Sequence, residues 1–218
     1  MDRDADTLPE WIESLILATT ADDEPSAELV RRGLGHGHER VRVIALRAAA
    51  RRGLLEDADL DAARRDESPS VRREALTQIA RGAGGRPDAV VSSLADPDAL
   101  VAEAAAFALG ERAVTSAVGE LARAAGTHAD ARVREAAVAA LGALGDPAGL
   151  PAIVAALDDR PPVRRRATVA LAAFDDPRAA SALERARADR DWQVRDVARR
   201  LSDEDGDEDG DDIPFGGH

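Results

Sequence analysis

A Val-Arg pair recurs along this chain at Val41-Arg42, Val71-Arg72, Val133-Arg134, Val163-Arg164 and Val194-Arg195, and Val101-Ala102 fills the one gap. The valines are spaced by 30, 30, 32, 30 and 31 residues. A fixed period of this length marks a series of similar supersecondary units, which constrains the fold more than any local propensity does. Four residues after each valine stands an alanine: Ala45, Ala75, Ala105, Ala137, Ala167 and Ala198. Four further on come Ala49, Ile79, Leu109, Leu141 and Leu171, while Ser202 breaks the last copy. Positions i, i+4 and i+8 share one helix face, so each unit holds an amphipathic helix. The small residue at its centre lets another helix approach closely.

The expected helix starts agree with this register. Three residues before each valine lie His38, Ser68, Asp98, Asp130, Arg160 and Asp191, and four of the six are good N-caps. Pro69 and Pro161 follow two of them, where a missing N–H costs nothing. Gly53, Gly82 and Gly145 fall where these helices end. Between copies runs a second apolar segment, as in 28–34, 89–94 and 150–157, so each unit reads helix, turn, helix. One hairpin cannot bury its apolar faces alone, whereas a stack forms a continuous core. The expectation is an all-α protein, a right-handed α-α solenoid of about six hairpins. Residues 1–24 would form a capping helix and linker, with 8–20 and Trp11 sealing the first layer. Residues 25–202 would form the solenoid, with Trp192 covering its far end and Arg199 and Arg200 giving that end a polar face.

Composition narrows the function. The chain has no cysteine, which excludes disulfides, thiolate metal sites and cysteine nucleophiles. Its net charge is −13, and all 29 basic residues are arginine. An acidic, lysine-free surface suits a halophilic host, although a GC-rich genome produces the same bias. A net-acidic chain repels a phosphate backbone, so no nucleic-acid partner is expected. The 8–20 segment lacks a basic flank and is interrupted by Glu10 and Glu13, and no other run approaches a membrane span. The chain is therefore expected in the cytoplasm, away from membranes.

The pattern Asp-x-x-x-x-Val-Arg-x-x-Ala resembles the HEAT repeat, particularly the short variety of phycobilisome-lyase-like HEAT proteins, over residues 25–201. In that family the matching Asp and Arg form a ladder inside the stack. The resemblance implies an Asp column at Asp66, Asp96, Asp158 and Asp189. It implies an Arg column at Arg42, Arg72, Arg134, Arg164 and Arg195. His36 and His128 replace Asp in two units, and Ala102 replaces Arg in one. A partly buried carboxylate needs a cationic donor, and the planar guanidinium fork supplies one. A structural role is favoured over binding of an acidic partner, so losing a ladder arginine should cost stability before binding.

The resemblance also brings enzymes into view, and each fits poorly. Deoxyhypusine hydroxylase, with a similar fold, holds two irons with several His-Glu pairs, whereas this chain has His38-Glu39 alone among four histidines. HEAT-like DNA glycosylases need a basic face with aromatics to support a displaced nucleotide. The five aromatics here, Trp11, Phe107, Phe174, Trp192 and Phe215, are too scattered. No residue can be assigned the chemistry of a bilin lyase, and Gly82 to Gly85 lacks the Lys-Ser/Thr of a phosphate loop. No catalytic, cofactor-binding or metal-ligating residue is therefore expected.

In HEAT repeats the second helix lines the concave face. The positions one residue after the Arg column include Arg73, Glu103, Glu135 and Arg165, with Arg166 beside them. Basic clusters flanking an acidic middle suit a folded protein partner better than a uniform polyanion. From 203 to 212, eight of ten residues are acidic and two are glycine, leaving 34 acidic against 29 basic residues elsewhere. Such a run repels itself and has nothing to bury, so 203–218 is expected to be a disordered tail. Ile213 and Phe215 at its end could dock into a partner groove. These features point to a non-catalytic scaffold or adaptor that binds a protein through its concave face. The alternative is an enzyme or enzyme accessory of the bilin-lyase-like or metal-dependent kind.

Overall fold

The computed structural model describes residues 7–204, and among them the chain is helical throughout, without a strand. The residues of the acidic run beyond 204, with Ile213 and Phe215, lie outside the described residues. The chain divides after Ala117 into two compact units. The first holds α1 (Leu8–Ala18), α2 (Glu24–Leu34), α3 (Glu39–Arg51), α4 (Asp57–Ala63), α5 (Pro69–Ala80), α6 (Pro87–Val90) and α7 (Ala99–Glu111). Within it α3 packs on α5 and α5 on α7, while α1 and α2 cover α3 and α4 covers α5. The second unit holds α8 (Val118–Thr127), α9 (Ala131–Leu144), α10 (Leu150–Ala155), α11 (Pro161–Leu171), α12 (Pro177–Ala186) and α13 (Trp192–Glu204). There α9 packs on α11 and α11 on α13, with α8, α10 and α12 against them. The motif valine thus opens the inner helix of every hairpin, giving the α-solenoid that its period implies.

The repeat positions are the core. All six motif valines are exposed by 1% or less, and the six alanines four residues on are fully buried. Ala49, Ile79, Leu109, Leu141 and Leu171 continue the same buried face. Small residues set the helix separation: a Cβ added at Gly142 of α9 would lie 2.7 Å from the Cβ of Ala170 on α11. Contact that close leaves no room for a methyl group without shifting a helix.

The helix ends follow the expected chemistry except at Ser68, whose hydroxyl donates to Glu39 and makes no cap bond to α5, and there are two additions. Asp98, Asp130 and Asp191 accept backbone N–H bonds from the first turn of α7, α9 and α13. His38 does the same for α3 through Nδ1, acting as an acceptor cap. Gly53, Gly82 and Gly145 end α3, α5 and α9 at φ of 65°, 85° and 61°. The equivalent residue after α7 is Ala113, held at φ 50° where a Cβ is strained. It stays there because Val114 N–H reaches back to the Leu109 carbonyl at 3.0 Å and closes the helix end.

At the two ends, one reading from the sequence agrees with the structure and one does not. Helix α1 buries Trp11, Leu15 and Ala18 against the first hairpin, yet Ile16 and Leu17 on its other side are 58% and 66% exposed. Trp11 thus closes the first layer as expected, and the outer surface of α1 is apolar. Trp192 does not cover the last layer: it is 65% exposed. It precedes the buried Val194 by two residues, about 200° round the helix, and so points away from the core face.

Candidate functional site

Four of the five Arg-column side chains bridge successive hairpins in one geometry. Arg42 donates from Nε and Nη2 to the two oxygens of Asp66 at 2.8 and 2.7 Å. Arg72 grips Asp96 at 2.8 Å through both atoms. Arg134 holds Asp159 at 2.6 and 2.7 Å, and Arg164 holds Asp189 at 2.9 and 2.8 Å. The remaining Nη1 points the other way and donates to carbonyls of the loop preceding its own helix, as from Arg42 to His36 and Gly37. Each arginine therefore ties two adjacent loops, and each carboxylate raises the affinity of its guanidinium for the proton.

The carboxylates complete the joint. Asp66, Asp96 and Asp189 each also accept the backbone N–H two residues on, from Ser68, Asp98 and Asp191. The Asp159 carboxyl lies below its usual range because Arg134 donates to it, which outweighs its burial, with help from the Arg160 N–H. Burial pushes the Asp189 carboxyl up, but the Arg164 fork and the Asp191 N–H together hold it below its ordinary value.

The alignment that placed Asp158 in the column is off by one residue. The loop between the column carboxylate and the N-cap is one residue shorter before α11 than before α5, α7 and α13, which leaves Asp158 exposed and brings Asp159 to Arg134. Asp159 accordingly sits directly before the N-cap and accepts the Arg160 N–H. Arg195 keeps only the carbonyl arm, donating to Asp189 and Arg190 at 2.7 and 3.2 Å; no carboxylate partner is seen for it among the described residues.

The two histidines in the column are turn residues. His36 Nδ1 accepts the His38 N–H at 3.0 Å, and His128 Nδ1 accepts the Asp130 N–H at 3.1 Å, as the aspartates do elsewhere. The His36 ring also lies 4.8 Å from Trp11. A neutral imidazole reproduces the turn bond but not the anion, and where His128 stands the arginine one period earlier is Ala102. Both halves of that rung are replaced together. No cluster of three or more metal-ligating side chains occurs among the described residues, and no described helix is long and apolar enough to cross a membrane.

The exposed stripe of the inner helices is the candidate binding face. Of the residues expected there, Arg73 is exposed and without a side-chain partner, whereas Glu103 and Glu135 are half-buried. Arg166 lies 3.6 Å from Glu135, and Arg165 donates to Gln193 on α13 at 2.6 Å. Part of the expected set is thus engaged within the second unit. Considering one position per helix missed most of the stripe, which continues at steps of three, four and seven. On α3 it carries Arg40, Arg47 and Arg51, on α5 Arg73 and Arg81, and on α7 Leu100 and Phe107, the last 56% exposed. Arg47 donates to Glu74 of α5 at 2.7 Å. Arg40, Arg51, Arg73 and Arg81 have no ion-pair or side-chain hydrogen-bond partner among the described residues.

Comparison with known proteins agrees with this architecture. A model of HEAT repeats matches residues 87–172, and one of the PBS lyase HEAT-like repeat matches 163–189. Residues 87–189 thus match HEAT repeats, the last of them of the PBS-lyase-like kind. Among solved structures, the chain resembles the complex of CpcE and CpcF of phycocyanin lyase from Nostoc sp. at 25% identity, covering 79% of this chain and 74% of that one with a TM-score of 0.58. A designed armadillo repeat protein in complex with the peptide (KR)4 matches at 19% identity over 91% of this chain and 99% of its own, TM-score 0.55. An engineered protein matches at 20% identity over 81% and 97%, TM-score 0.62. The latter two likenesses concern the fold alone. No curated protein matches the sequence.

Proposed function

We propose that this HEAT-repeat chain is a non-catalytic scaffold that binds a protein partner through the exposed face of its inner helices. The observation that carries this reading is the contrast between two sets of arginines. The ladder arginines are buried and spent on internal loops, while Arg40, Arg51, Arg73 and Arg81 stand exposed and unpaired on two adjacent helices. Carboxylates are abundant in a chain of net charge −13, yet among the described residues none forms an ion pair with these four. The exposed Phe107 and Leu100 on the next helix add the apolar anchor that protein interfaces use. The CpcE–CpcF neighbour, a complex of two chains, supports protein binding as the use of this architecture.

The test is affinity capture of the tagged full-length chain from its own lysate at native salt, beside Arg73→Glu/Arg81→Glu. The expected result is a partner recovered with the first and lost with the second, both proteins melting at the same temperature. Equal recovery from both would remove the face from the account. The PBS-lyase-like match at 163–189 favours a second reading, an accessory to a tetrapyrrole-attaching enzyme. That reading requires a visible-range absorbance from a chromophore retained on the purified protein.

A further inference from the structure

The inner helices of the first unit differ in what they expose. Helices α3, α5 and α7 pack in succession, and their exposed stripes adjoin, since Arg47 of α3 donates to Glu74 of α5 at 2.7 Å. On α5 the stripe carries Arg73 and Arg81, both exposed and without an ion-pair or side-chain hydrogen-bond partner among the described residues. On α7 it carries Leu100 and Phe107, 38% and 56% exposed, with the half-buried Glu103 and the exposed Glu111 beside them. Carboxylates also bound the cationic area on its α3 side. Arg40 shares a cleft with Glu13, and Arg51 shares one with Asp22, Asp23 and Glu24. The positive field is therefore narrow and centred on α5, with apolar side chains next to it on α7.

We infer that α5 and α7 together read a short acidic segment of a partner protein, with its carboxylates on Arg73 and Arg81 and a bulky apolar side chain on Phe107 or Leu100. The inference rests on the reading of the inner-helix face as a binding surface, and adds what that surface selects. Arg73 and Arg81 are about 12 Å apart along α5, close enough for two long side chains to converge on one cluster of carboxylates between them. The spacing of the segment follows from helix packing. Neighbouring helices lie about 10 Å apart, and an extended chain crossing them advances about 3.3 Å per residue. The apolar residue thus stands about three positions from the nearest carboxylate. Glu103 and Glu111 repel a carboxylate placed over α7, which selects the apolar residue there and works against a uniformly charged polyanion such as a nucleic acid. The guanidinium contacts are exposed, so affinity should fall steeply with salt.

The experiment is fluorescence anisotropy of a labelled synthetic peptide, Ser-Glu-Glu-Glu-Ser-Ser-Phe-Ser, titrated with the full-length protein at low salt. The peptide should bind, and Arg73→Glu/Arg81→Glu should weaken binding at least tenfold. Phe107→Asp should weaken it severalfold, as should replacing the peptide's Phe by Glu, although that change makes the peptide more acidic. Arg185→Glu, exposed on α12 of the second unit, should leave the affinity unchanged. All of these side chains are exposed, so each variant should melt at the native temperature. No binding of the peptide to the native protein, indifference to the charge reversal on α5, or equal or tighter binding of the Glu-for-Phe peptide would each overturn the proposal. So would equally tight binding of a single-stranded oligonucleotide of the same charge, which would mark the face as a general polyanion site. If a captured partner depends on Arg73 and Arg81 while the peptide does not bind, the scaffold reading stands and this inference falls.

Discussion

Replacing Arg164 by alanine tests the ladder where it is most enclosed. The side chain is 3% exposed and makes three charge-assisted bonds, two to Asp189 and one at 2.8 Å to the Asp159 carbonyl. Its removal strands the Asp189 carboxylate, 14% exposed, with only the Asp191 N–H for company. Breaking one side of such a pair costs about 3–5 kcal/mol. Arg195 is the internal control, because it makes only the carbonyl arm; losing it should cost about 1–2 kcal/mol. Arg164→Lys keeps the charge but not the fork, and should fall between the two. Urea unfolding followed by helical circular dichroism reads all three. A loss under about 1 kcal/mol for Arg164→Ala, or one no larger than that for Arg195→Ala, would refute the view that these arginines fasten neighbouring hairpins.

Asp159→Ala should destabilise the second unit by about 2–4 kcal/mol by stranding Arg134, whereas Asp158→Ala should leave the urea midpoint unchanged. Ala113→Gly should stabilise by about 0.5–1 kcal/mol by relieving the left-handed alanine, read in the same assay. The carboxyls of Asp130 and Asp176 sit at about 2, each held down by the side chain and N–H of the arginine two residues on, Arg132 and Arg178. Asp159 and Asp189 are lowered too. Groups whose folded value is depressed contribute stability above their unfolded value, about 3.9, and lose it as pH falls through the folded one. The melting temperature should therefore hold down to about pH 4 and drop towards pH 2, with a shallower drop in Asp176→Asn. A fall that began near neutrality would contradict this assignment.

The fold was legible because a repeat displays its core six times over. The valine, alanine and third-position residues are buried wherever the period places them, and the N-cap positions hold in every unit. The ladder was legible for three of four Asp partners. It failed at Asp158 because the loop before α11 is one residue shorter, so a fixed offset from the valine falls one residue early. The outer surface was read less well. Trp11 and Trp192 both look like cover for exposed ends, yet only Trp11 is buried, because helix phase turns Trp192 outward. The exposed stripe was partly visible through Arg73, while Arg40, Arg51, Arg81 and Phe107 needed the helix wheel carried over three turns rather than one position. Which arginines are free is a property of tertiary pairing: Arg47 and Arg73 look alike in sequence, and only one of them meets Glu74.

Photo-cross-linking tests the central claim most directly. p-Benzoylphenylalanine replaces Phe107 on the inner-helix face in one sample and Arg178, exposed at the start of α12, in another, and both are irradiated in native lysate. A discrete protein adduct from position 107 and none from 178 is the predicted result. Adducts from 178 alone, or from neither position, would contradict a scaffold that works through this face.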